Sequence, residues 1–300
     1  MLRIVTGFAA VLALASPGLA QVPPRDAATA ELETVVVDGR PLREAIERFV
    51  DDVVAPPVGR GPARWDRKVC VGALNLRRDA AQAVVDQVSR IALDLGLEPG
   101  DPGCRPNILI IASDDGEALA RALVERSPHA FRPNYAGASR GSSALDRFQA
   151  SSSPVRWWHV SLPVTETGDI AVRLPGGGPP FVRQDGSRLT TRLRNDLRRA
   201  YVIVDLQEMD GVTFQQLGDY IGMVTMAQID PEAETAAYDT VLNLFDAPGA
   251  VSGLTEWDRS YLAALYDAEL NRRSPNHQGG EVAGLMFRDR RQAQTEDAAE

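Results

Sequence analysis

Two carboxylates, Asp219 and Asp230, lie in and just beyond an apolar stretch with helical spacing. Two carboxylates at a set separation in one cleft can run hydrolysis without a metal, one as acid and the other as base or nucleophile. Such a pair would suit a glycan or peptide substrate. Asp210, Glu232 and Glu234 surround them, but the D-x-[DN]-x-[DN]-G spacing of a calcium loop is absent, so this set reads as solvated helix-end charge. Arg188, Arg192, Arg194, Arg198 and Arg199 gather in one short stretch and form a candidate anion or partner patch; a solvated surface is the plainer alternative. The three histidines, His129, His159 and His277, are far apart and none is paired one helical turn from another. Gly141-Ser142-Ser143 lacks the frame of a nucleophile elbow, and residues 176–180 lack the Lys-Ser/Thr ending of a phosphate loop.

The element that must position Asp219 is a helix. Phe214, Leu217, Ile221 and Val224 step by three, four and three residues, which predicts one buried stripe. Thr213 with Gln216 makes a capping box before it, and Thr255 with Asp258 repeats the pattern before a later helix. Gly218 and Gly222 share another face one turn apart. Each costs about 1 kcal/mol of helix propensity relative to alanine, so a packing benefit or a shaped cleft is expected there.

The order of strand 201–206, this helix, Tyr238-Asp239-Thr240-Val241-Leu242-Asn243, and Leu254-Thr255-Glu256-Trp257-Asp258 with Tyr266 resembles the catalytic half of zinc metallopeptidases of the zincin class. The stretch 218–244 is also similar to a theme repeated in uncharacterised exported alphaproteobacterial proteins. The resemblance implies an α/β (α+β) fold, a zincin-like mixed sheet packed with helices. It also implies that the helix should carry H-E-x-x-H, two imidazoles that bind zinc and a glutamate that activates its water. In that register Gly218 and Gly222 stand at the histidine positions, Asp219 at the glutamate and Gln228 at a third ligand. Glycine has no donor atom, and zinc needs three or four. No metal or other cofactor is therefore expected. The expected candidate cleft is Gly218, Asp219, Gly222, Gln228 and Asp230, a former metal cleft now free for a ligand.

Composition bounds the setting. The first twenty residues carry one charge, Arg3, then an apolar run, Pro17 and Gly18-Leu19-Ala20, as in a signal peptide cleaved after Ala20. That predicts a periplasmic or secreted protein with no membrane span once the leader is removed. Formal net charge is −9, and −10 without Arg3, which gives no drive toward nucleic acid. Behind an export signal, Cys70 and Cys104 most simply form one disulfide.

Along the chain, residues 21–38 read as a flexible segment and 39–287 as a single domain. Helices are expected over 40–54, 80–95 and 116–124, and strands over 69–74, 107–112, 155–164 and, paired with it, 170–174. Residues 127–154, rich in Gly, Ser and Pro, read as a long loop, functional or disordered. Residues 288–300 are charged, lack apolar periodicity and read as a disordered tail. The function expected from these features is an exported, non-catalytic domain that binds an unknown protein or an envelope component. The alternative is a metal-independent hydrolase using Asp219 and Asp230.

Overall fold

The computed structural model describes residues 39–133, 138–171, 189–246 and 249–298. The expected leader (1–20) and flexible segment (21–38), Arg188, residues 172–174 and the glycine-proline run at 176–180 lie outside the described residues.

The chain opens with α1 (Gly39–Val53), β1 (Lys68–Val69), β2 (Val71–Leu74), α2 (Arg78–Asp94), β3 (Glu98–Pro99) and β4 (Ile108–Ser113). Three helices follow, α3 (Gly116–Arg126), α4 (Pro128–Phe131) and α5 (Ser142–Ala150), then two long strands, β5 (Val155–Val164) and β6 (Arg194–Asp205). The last elements are α6 (Phe214–Met226), α7 (Glu256–Asp267) and α8 (Pro275–Asp297). The result is a mixed α+β architecture. The main sheet has the order β2-β4-β6-β5; β2, β4 and β6 are parallel, and β5 runs antiparallel at the edge. β1 and β3 pair in a separate parallel ribbon.

Both faces of the sheet are covered, which is why β4 reads as an unbroken apolar run instead of alternating. On one face, Ile108, Ile110, Val155, Trp157, Val202 and Val204 join the main core with Val84, Val88 and Ile91 of α2 and the buried face of α6. On the other, Trp158, Val160 and Ile203 pack a smaller cluster with Ala120, Phe131, Leu145 and Phe148 from α3 to α5. Each neighbouring tryptophan is fixed by its indole N–H. Trp157 donates to Ile229 O at 3.0 Å, and Trp158, on the opposite face, donates to Phe131 O at 2.8 Å.

Both expected capping boxes form, at Thr213/Gln216 and Thr255/Asp258. Asp258 also accepts from Thr240 Oγ1 at 2.5 Å and Val241 N at 2.7 Å, so one fully buried carboxylate ties the start of α7 to the turn before it. The disulfide joins Cys70, between β1 and β2, to Cys104, before β4. Among the described residues no helix is long and apolar enough to cross a membrane.

Three expectations are corrected. Residues 127–154 are not a long loop: α4 and α5 lie within them, and Ala144, Leu145 and Phe148 face the smaller core. Helix α8 continues through residues 288–297 instead of ending in a disordered tail. Its last turns lack apolar spacing because they are mostly solvent-facing, and Arg, Gln and Glu sustain helix without burial. Phe214 is 46% exposed, so the buried stripe of α6 starts at Leu217.

Candidate functional site

The residues expected to line a vacated metal cleft do not form one place. Ten consecutive residues of α6, from Leu217 to Met226, are buried, because the helix is covered on every side over that length. Gly218 and Gly222 face α2. A Cβ on Gly218 would lie 2.7 Å from Gln87 Cβ, and one on Gly222 would lie 2.3 Å from Ile91 Cδ1. The two glycines let the helices approach, so the face expected to be an open cleft is a helix–helix contact. Gly218→Ala is expected to lower the midpoint of thermal unfolding more than Gly222→Ala. Gln87 Cβ is set by its own backbone, whereas Ile91 Cδ1 can swing aside. Overpacking costs about 1–3 kcal/mol against a propensity gain of about 1 kcal/mol. A rise in midpoint for Gly218→Ala contradicts the contact.

Asp219 is 6% exposed. It accepts hydrogen bonds from Leu254 N at 3.2 Å, from Gln87 Nε2 on α2 and, weakly, from Gln215 Nε2 at 3.5 Å. Gly253 passes so close that a Cβ there would meet Asp219 Oδ2 at 2.3 Å, and its φ of +151° also suits glycine. Gln228 is 2% exposed, donates to Ser161 Oγ at 3.2 Å and leaves Oε1 buried without a partner.

Asp230 lies elsewhere. Its Oδ2 is 2.9 Å from Arg140 Nη2, and its Oδ1 accepts from Glu232 N. Seven residues of α6 separate Asp219 from Met226, a rise of about 10 Å before the chain even reaches Asp230. Among the described residues the two carboxylates share no hydrogen-bond partner, and nothing brings them together as the pair that metal-independent hydrolysis needs. Among the described residues no group of three His, Cys, Asp or Glu side chains is arranged to hold a metal ion.

What the structure does provide is a groove of about 350 Å³ along the edge of β5. Its floor is residues 155–159, one wall is α5 with Ala144, Arg147 and Phe148, and the other is residues 229–232. Two ion pairs link the walls, Arg140–Asp230 and Arg147–Glu232 at 2.7 Å. The Asp205 N to Pro154 O bond places Pro154 and its alternates against β6. Val155, Trp157 and His159 therefore turn their backbone N–H and C=O outward. The same parity holds further along, where Ser161 N donates to Ala138 O and Pro163 O accepts from Ala171 N. Over residues 155–159 no described strand pairs with this edge.

His159 sits in the groove floor with Nε2 2.8 Å from Val224 O. A carbonyl only accepts, so Nε2 carries the proton and Nδ1 is the unprotonated nitrogen. Burial pushes its pKa down to about 4; the Val224 bond opposes this and nearby Arg140 adds to it. A base whose folded pKa lies below its unfolded value of about 6.5 contributes stability at neutral pH that is lost as pH falls through that window. Between pH 7 and 5 this residue should remove about 2 kcal/mol. Urea unfolding across that range should show a flatter pH dependence for His159→Gln; an unchanged slope contradicts the assignment.

The arginine cluster divides. Arg188 lies outside the described residues, Arg192 pairs with Glu166, and Arg194 pairs with Asp66 and Asp196. Arg198 and Arg199 are exposed and form no ion pair with a described residue. The groove is not apparent in the sequence because one wall lies within residues 127–154, whose composition predicts a loop. The apolar spacing of Ala144, Leu145 and Phe148 was the available signal. A comparison with protein-family models, curated proteins and solved structures finds no match.

Proposed function

We propose that the protein is an exported, non-catalytic binding module whose ligand is an extended polypeptide segment laid along the edge of β5. The observation that carries this reading is the backbone of Val155, Trp157 and His159, which pairs with no described strand at the floor of a walled groove. An added strand completes the ladder with main-chain bonds, and the groove walls select its side chains. A long unpaired edge also invites aggregation, and natural proteins shield such edges; here the groove walls narrow access to it. We further read the scaffold as zincin-like with its metal site lost, a pseudo-metallopeptidase. That reading rests on the order β6, α6, the 238–243 turn and α7, with glycines in the two ligand places. The alternative hydrolase has no comparable support, since Asp219 is buried and Asp230 is held by Arg140.

Peptides selected from a random decapeptide display library against the intact protein test the reading. Binders should lose at least about tenfold in affinity when alternate backbone nitrogens are methylated. They should also weaken against Ser152→Trp, which fills the groove from its exposed rim just after α5, and against Arg147→Glu, which leaves α5 folded and reverses one wall charge. Binders indifferent to N-methylation and to both substitutions contradict it.

A further inference from the structure

We propose that the β-bulge on β6 builds a second binding site, for a small organic anion that carries an apolar group. The ladder between β5 and β6 pairs Val160 with Arg199 and Ser161 with Leu197, so Arg198 is the extra residue. The bulge resets the alternation of β6. Leu197 packs into the main core with Ala200, Val202 and Val204, all even-numbered, although it is odd-numbered itself. Arg199 lies opposite Val160 and shares its face of the sheet, the one covered by α4. Two consecutive arginines, which a regular strand would send to opposite faces, then line one depression of about 460 Å³. Val160 and Leu162 contribute apolar lining, with His129 and Ala130 of α4 alongside.

Among the described residues nothing answers the charges at this site. Arg192 and Arg194 are matched to carboxylates, whereas neither Arg198 nor Arg199 makes an ion pair or a side-chain hydrogen bond with a described residue. That is notable in a protein of formal net charge −9, which has acid to spare. Two neighbouring guanidiniums repel each other and present fork-shaped donors that fit a phosphate or carboxylate. The apolar lining next to them, half-buried Ala130 and Pro133 with the exposed fringe of Val160 and Leu162, gains from contact with hydrocarbon, not with a bare ion. The volume falls in the range of small-molecule sites. The occupant these features select is a single-chain anionic amphiphile, its head on Arg198 and Arg199 and its chain over Ala130, Pro133 and the fringe of Val160 and Leu162. This site is separate from the β5 edge groove and does not depend on it.

Calorimetric titration of the intact protein with n-octyl phosphate, inorganic phosphate and n-octanol, each below any micellar concentration, tests the proposal. One octyl phosphate should bind per chain, at least about tenfold more tightly than inorganic phosphate or octanol. The double variant R198A/R199A should weaken it by at least about tenfold. Both side chains are exposed, so the variant should keep the parent's unfolding midpoint, which shows that it is folded. Three results overturn the proposal: no saturable binding of octyl phosphate, inorganic phosphate binding as tightly as octyl phosphate, or equal octyl phosphate affinity in the double variant.

Discussion

Asp219→Ala is expected to destabilise the protein by about 2–4 kcal/mol, as the removal of a buried charged acceptor strands its donors. The carboxylate is 6% exposed and receives Leu254 N–H, the Gln87 amide and the Gln215 amide. It therefore joins α6 to α2 and to the loop before α7. With alanine there, Leu254 N–H and the Gln87 amide lose their partner inside the fold. At this size each kcal/mol moves the unfolding midpoint by about 2–4 °C, so a fall of about 5–10 °C is expected. Asp219→Asn should fall by less, since one oxygen acceptor remains while a new amide donor faces existing donors. A catalytic carboxylate would behave differently: its asparagine variant would lose activity and keep or gain stability. An unchanged midpoint for Asp219→Ala contradicts the structural role.

Removing the disulfide should cost about 3–4 kcal/mol, the chain-entropy value for a loop of its length. Cys70 and Cys104 are 34 residues apart, and the loop they close contains β2, α2 and β3. Gly100 lies against it, since a Cβ there would meet Cys104 Sγ at 2.6 Å. The double variant C70S/C104S should unfold at markedly lower denaturant concentration. Mass spectrometry after alkylation of the unreduced protein should detect no free thiol. Two freely alkylated cysteines in the native, unreduced protein contradict the bridge.

What could be read from the sequence divides by range. The capping boxes, α1, α2, α3 and β5 are local patterns, and they appear close to where the spacing places them. β6 begins at Arg194, seven residues before the expected start. Its first residues are polar because Asn195 bonds to Arg60 and Arg194 pairs with Asp66, partners that no local window contains. The glycine pair on α6 was legible as a close approach or a cleft, and nothing local separates the two. The decision came from Gln87 and Ile91, more than 130 residues away in the chain. The groove was not legible because it is made by an absence of pairing. An edge strand is defined by what does not lie beside it, and residues 155–159 read the same whether or not another strand follows. The separation of Arg198 and Arg199 from their neighbours has the same origin, in a register shift that only the partner strand reveals.

Backbone amide exchange at Trp157 and His159, read residue by residue with and without a library-selected peptide, tests the central claim most directly. If the peptide adds a strand to β5, both amides gain a partner and should slow together by at least about tenfold, while Arg156 and Trp158, already facing β6, change little. If the peptide binds and those two amides exchange at unchanged rates, the edge of β5 is not the binding site.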